Sequence, residues 1–242
     1  MLIRAFTLAF GQLSDKRLRK ILSLSLIITS AILGFLFLGF GLIIYTQEVF
    51  EFSGLLFPLN YVVNWVFDLF GTMILFVLGW YFFPALASVT ISFFLEDIAE
   101  AAERRHYPNL TMPRKQSIGE LLIVTCKFLV IAIFLNLIVL PIYLVLFFLG
   151  PLNLFVFYLI NGYLIGREYF EIIAHRRLGP EEAKTLRKEN RWKLLFAGMF
   201  ITFMMTIPFV NLAAPVIGTL AMVHLVGYWN SGNANIQGVL RD

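Results

Sequence analysis

A chain of 242 residues that is 60 % hydrophobic and only 14 % charged is too apolar for a soluble globular domain. Its 26 phenylalanines suit a lipid-facing surface, and one all-α integral membrane domain over residues 1–242 accounts for the whole length. The net charge of +4 follows membrane topology and is no nucleic-acid signature, and the single cysteine excludes an intrachain disulfide and a cysteine metal cluster.

The first 20 residues are basic, with Arg4, Lys16, Arg17, Arg19 and Lys20 against Asp15. Leu2, Phe6, Ala9, Phe10 and Leu13 recur at helical spacing, which predicts an amphipathic helix lying in the membrane interface. Ser14 or Asp15 then caps a helix that enters the membrane. The first apolar run, 21–45, is charge-free and long enough to span with some tilt; it is also too long for the apolar region of a secretory signal.

Residues 47–68 mix Glu48, Glu51 and Asp68 with aromatics and read as an interfacial excursion on the far side. A second span covers 69–95, with Pro84 as a kink, and is expected to run on as one helix into the acidic segment Glu96, Asp97, Glu100, Glu103, Arg104, Arg105. After the Pro108–Pro113 loop, Ser117-Ile-Gly-Glu120 has capping-box spacing.

Two hairpins follow, at about 121–165 and 194–228, each an apolar arm, a Pro-bearing break and a second arm. The first turns at Gly150-Pro151. The second is charge-free and broken at Pro208, Asn211 and Pro215; its first arm, Leu194 to Ile207, reaches roughly 21 Å as a helix, short of the roughly 30 Å of a bilayer core. These hairpins either cross fully or penetrate partway, as re-entrant helices do. Gly162-xxx-Gly166 and Ala214-xxx-Gly218 are small-residue packing motifs.

Orientation follows from the basic residues. No Lys or Arg occurs between 21 and 103, whereas they cluster at the N-terminus, at 104–115 and at 167–193, which puts these segments and both termini in the cytoplasm.

No HExxH, GxSxG or Gly-rich phosphate loop is present, so neither enzyme chemistry nor a cofactor or metal is expected. His175 and Glu171, at i, i+4, read as a solvated helix face, and His224 reads first as a packed, neutral histidine and second as a pathway residue. The cluster Lys16-Arg17-Leu18-Arg19-Lys20 has two readings: snorkelling topology charges, or anion capture by free N–H groups, the positive helix end and guanidinium forks. The acidic run at Glu96–Glu103 is either a solvated helix or a charge network at the mouth of a pathway.

Three stretches resemble a known family, the CysZ-type sulfate permeases grouped with the etoposide-induced-protein domain. LSDKRLRKIL (13–22) looks like its basic Gly-Leu-Arg segment, LEDIAEAAE (95–103) like its acidic helix, and IPFVNLAAPVIGTLAMVHL (207–225) like its closing Pro-Asn-Leu-Pro hairpin. FYLINGYLIGREYFE (157–171) precedes that hairpin in the expected order.

The resemblance implies two long transmembrane helices plus partly penetrating hairpins, and sulfate uptake across a bacterial inner membrane for cysteine synthesis by a homo-oligomer. It also implies anion binding at Arg17, Arg19 and Lys20, with Arg17 standing where the family has Gly. A gate is implied at Glu96, Asp97, Glu100, Glu103 and Arg104. The competing expectation is a non-transporting membrane scaffold or assembly factor.

Overall fold

The computed structural model describes residues 1–46, 59–108, 113–114 and 118–230. Residues 47–58 of the excursion expected at 47–68, Ser117 of the capping box and residues 231–242 lie outside these residues. Among the described residues the regular structure is helical: α1 (Leu2–Gln12), α2 (Lys16–Thr46), α3 (Leu59–Ser92), α4 (Leu95–His106), α5 (Ile118–Leu146), α6 (Pro151–Ala174), α7 (Pro180–Glu189), α8 (Arg191–Thr206) and α9 (Val210–Asn230). One turn of 3-10 helix, Phe147–Leu149, joins α5 to α6. Helices α2, α3, α5 and α9 are each long and apolar enough to cross a membrane. The chain is an all-α membrane protein.

Two units divide the chain, residues 20–93 and residues 1–19 with 94–242. The first holds most of α2 together with α3. There Thr29 Oγ1 donates to the Ser25 carbonyl at 2.8 Å and lies 3.1 Å from Thr90 Oγ1, a polar contact between two apolar helices. Gly79 faces the Phe37 ring, which lies 2.0 Å from where a Cβ would stand. Large side chains such as Phe35 and Phe76 remain exposed, as lipid contact requires.

The second unit is built around α9. Only 6 % of the α5 span is buried, against 72 % of the α9 span, so α5 presents its surface to lipid while α9 is enclosed by protein. Helices α1, α4, α6 and α8 all pack on α9, and α6 packs still more extensively on α8. Glycines make that α6–α8 approach possible. A Cβ on Gly198 would stand 1.9 Å from the Gly162 carbonyl oxygen and 2.6 Å from the Gly166 nitrogen, so the small-residue motif read at 162–166 meets a third glycine.

Several expectations need correction. The amphipathic helix α1 does not reserve its apolar face for the membrane interface. Ala5 and Ala9 are fully buried, α1 packs on α9, and Phe6 stacks edge-on against Phe200 at 4.7 Å. An apolar stripe serves a protein face as well as a lipid face, and its period does not distinguish them.

The second long helix starts ten residues before the expected Leu69, at Leu59, and so includes Asp68. It also stops at Ser92 and does not run on into the acidic segment, because the chain turns at Phe93–Phe94 and α4 begins afresh. Glu96 and Asp97 then lie in the first turn of α4, and Arg104, Arg105 and His106 in its last, the order the helix dipole favours. Helix α6 likewise continues past Ile165 to Ala174.

Of the three expected break residues in the last hairpin, only Pro208 stands at the break. Ile207, preceding it, is extended with φ −90° and ψ 120°, as a residue before proline prefers, and Phe209 takes a positive φ of 64°. Asn211 and Pro215 lie inside α9. The Asn211 N–H donates to the Ile207 carbonyl at 3.0 Å, so its backbone is already satisfied. Helix α8, with 16 residues, reaches about 24 Å and remains short of a full span, whereas α9, with 21, reaches about 32 Å.

Candidate functional site

The basic start of α2 is built on Asp15. The Arg17 N–H donates to Asp15 Oδ1 at 2.8 Å, and the Arg19 N–H donates to the Asp15 carbonyl at 2.9 Å. Asp15 is therefore the N-cap that one of the two sequence candidates supplies. Its second carboxylate oxygen accepts from Arg105 Nη1 at 2.7 Å. The Arg17 N–H, followed by the Arg105 side chain, holds the Asp15 carboxyl below its ordinary range. Leu18 is buried, whereas Lys16, Arg17, Arg19 and Lys20 are exposed and form no ion pair among the described residues.

Helix α4 carries the acidic run and joins it to the segment after α6. Glu103 is buried at 5 % exposure. It accepts from Arg177 Nη2 at 2.6 Å, from Arg177 Nε at 3.2 Å and from Arg176 Nη2 at 3.4 Å. Glu100 pairs with Arg104 at i, i+4 on the exposed side. Glu96 and Asp97, in the first turn, form no ion pair among the described residues. The expected gate residues thus divide: Glu103 is a structural junction, and Glu96, Asp97, Glu100 and Arg104 form the outer surface.

Where α1, α4 and α9 meet, a polar cluster interrupts the apolar core. His224 is 1 % exposed, with Nε2 2.8 Å from Gln12 Nε2 and Nδ1 3.0 Å from the Tyr107 hydroxyl. With the Gln12 amide nitrogen turned toward it, Nε2 accepts, and in that arrangement the imidazole proton sits on Nδ1, facing Tyr107. The His106 ring stands edge-on to His224 at 5.1 Å. Burial lowers the pKa of His106, and the neighbouring Arg105 adds to that. Burial likewise pushes the Tyr107 phenol up to about 12, so it remains protonated. His224 is the packed, hydrogen-bonded histidine of the first sequence reading.

Near the end of α6, a carboxylate is clamped between two guanidinium groups. Glu171 accepts from Arg167 Nε at 2.7 Å and from Arg187 Nη1, and Arg167 is 3 % exposed. His175, one turn on, is 8 % exposed, with its pKa lowered by burial despite the nearby Glu171 and Glu120. The solvated face expected for Glu171 and His175 is thus an interior one, because α7 folds back over the end of α6.

Two cavities flank this clamp. One of about 220 Å³ is lined by Lys127, Arg167, Glu171, His175, Glu181 and Lys184 among others, with charges of both signs. The other, about 400 Å³, is lined by Tyr163, Arg167, Arg187, Lys188, Arg191, Trp192, Leu194 and Leu195.

Arg17 and Arg19 stand in the first turn of α2, and Asp15 links that turn to α4 through Arg105. Pro208, Asn211 and Pro215 shape the α8–α9 hairpin and carry no charge. Sequence reasoning missed the Arg167–Glu171–Arg187 clamp and the Glu103–Arg176–Arg177 junction. Part of the signal was present, since Arg167 and Glu171 stand at i, i+4 on a helix.

The fold and these charge clusters define a multi-helix membrane protein with basic surfaces beside its apolar helices. Residues 5–215 match the family described as "Sulfate transporter CysZ/Etoposide-induced protein 2.4", and the chain belongs to that family. No curated protein matches the chain.

Proposed function

We propose that this protein is a permease or channel for sulfate or a similar oxyanion in a bacterial inner membrane, supplying sulfur for cysteine synthesis. The observation that carries this reading is the family match over residues 5–215 of a chain with four helices long and apolar enough to cross a membrane. The basic clusters at residues 1–20, 104–115 and 167–193 favour a cytoplasmic location for these segments.

In this reading Arg17, Arg19 and Lys20 collect the anion at the start of α2. Their exposure and freedom from ion pairs among the described residues support that role. Asp15 occupies the helix N-terminus itself, so the anion is held by side chains beside the cap and not by the backbone N–H groups a glycine would expose. The outer charges of α4, from Glu96 to Arg104, gate access, and the α5–α6 and α8–α9 hairpins line the route as parts of a homo-oligomer.

Sulfate flux into proteoliposomes tests the reading, with wild type compared against Arg19→Ala. Flux by wild type and a several-fold loss in the variant are expected. Flux from neither protein above empty vesicles removes the transport claim and leaves a scaffold role.

A further inference from the structure

The 400 Å³ cavity between α6, α7 and α8 differs from its neighbour in one respect that chemistry makes consequential. Among the described residues its wall contains four cationic side chains, Arg167, Arg187, Lys188 and Arg191, and no carboxylate, whereas the neighbouring cavity includes Glu171 and Glu181. Glu171 neutralises only one of the two guanidinium charges it bridges. Lys188 forms no ion pair among the described residues, and Arg191 lies over the Trp192 ring at 5.5 Å without a carboxylate partner. Like charges around a partly desolvated cavity repel one another, and an anion between them removes that cost.

We propose that this cavity is a binding site for a tetrahedral oxyanion, and that its resident ligand is the phosphate of an anionic phospholipid headgroup. Guanidinium forks and an ammonium are the donors that recognise such a group. The size and the apolar part of the wall select the lipid. The space of about 400 Å³ is more than a bare oxyanion needs, and Leu194 and Leu195 in its wall offer apolar contact to the rest of a lipid headgroup.

Trp192 is 62 % exposed beside Arg191, and Leu194 and Leu195 begin the apolar run of α8. Exposed tryptophan next to basic residues at the start of an apolar helix marks headgroup depth, and basic pockets between membrane helices hold anionic headgroups. The site is separate from Arg17, Arg19 and Lys20, and its test reads binding and not flux.

The full chain, purified in zwitterionic detergent, is titrated with short-chain phosphatidylglycerol, short-chain phosphatidylcholine, inorganic phosphate and sulfate, with binding read by native mass spectrometry and thermophoresis. Wild type is expected to bind phosphatidylglycerol, and the K188Q/R191Q double variant to bind it about tenfold more weakly. Both altered side chains are exposed, and single Arg191→Gln serves as a second variant should the double one fold poorly. Phosphate or sulfate binding that depends on Lys188 and Arg191, without lipid binding, supports the site and assigns it a free oxyanion. Indistinguishable binding of all four ligands by wild type and variants overturns the proposal.

Discussion

Arg105 Nη1 donates to Asp15 Oδ2 at 2.7 Å, across 90 positions of sequence. The same carboxylate caps α2 through the Arg17 N–H, so one acid connects the basic start of α2 to the last turn of α4. In the proposed permease, Asp15 is a built-in negative charge at the place where a substrate anion would otherwise meet the positive helix end.

Asp15→Asn is therefore expected to strengthen anion binding. Asparagine retains an oxygen for the Arg17 N–H, which preserves the cap, but removes the competing charge and releases Arg105. One surface charge is worth about 0.5–1 kcal/mol, so half-saturation by sulfate should fall roughly two- to fivefold in a proteoliposome uptake assay. A higher half-saturation would mean that Asp15 orients the cations and does not compete with the anion.

Glu103 bears a heavier structural role. Two guanidinium groups, Arg176 and Arg177, depend on one buried carboxylate. Glu103→Ala removes the buried carboxylate that both cations share, a change expected to cost roughly 3 kcal/mol. Thermal unfolding in detergent should show a markedly lower midpoint, while Glu100→Ala, which breaks only the exposed pair with Arg104, should shift it little. Equal shifts for the two variants would contradict the junction role.

Glycines of similar appearance in the sequence differ sharply in the structure. At Gly198 an added Cβ meets the Gly162 carbonyl oxygen at 1.9 Å, and that neighbour is backbone. At Gly34, within α2, nothing lies within 4 Å. Gly198→Ala should part α6 from α8 and cost roughly 2–4 kcal/mol, on the scale of an overpacked core, whereas Gly34→Ala should be neutral or stabilise by up to about 1 kcal/mol. Size-exclusion profiles after graded heating separate these outcomes, and a folded, wild-type-like Gly198→Ala protein would refute the close packing.

Apolar length was legible because a run such as 21–45 admits no soluble alternative, and Pro208 and Gly150-Pro151 marked real turns since backbone chemistry leaves proline and glycine few choices. Partners were not legible. The stripe on α1 fitted lipid as well as it fitted α9, and Pro215 read as a break although α9 continues through it with its neighbours packed around. Charges posed the same problem at longer range. Nothing local to Glu103 indicates Arg177, which lies 74 positions away, so its place in the acidic run leaves a solvated helix and a charge network equally open, and only tertiary packing pairs it. At Glu171 the i, i+4 spacing was visible, but the second cation, Arg187, comes from a helix whose fold-back the sequence did not disclose.

Two histidines outside the membrane spans, His106 half-buried and His175 buried, set a pH dependence of stability. Burial is the leading cause that lowers the pKa of both His106 and His175 from the ordinary 6.5. In the unfolded chain each takes up its proton near 6.5, while in the folded chain it stays neutral to lower pH, so the unfolded state binds more protons between those two limits. Stability should accordingly be full above about pH 6.5 and decline as pH falls below it, with a midpoint about 2–4 °C lower for each kcal/mol lost. His106→Asn combined with His175→Asn removes these two protonations and should flatten the decline between pH 7.5 and 5.5. Asp15, whose pKa is depressed below 3.8, contributes nothing to the slope in that window, since it is ionised in both states throughout. Identical slopes for wild type and the double variant would show that neither imidazole resists protonation in the fold.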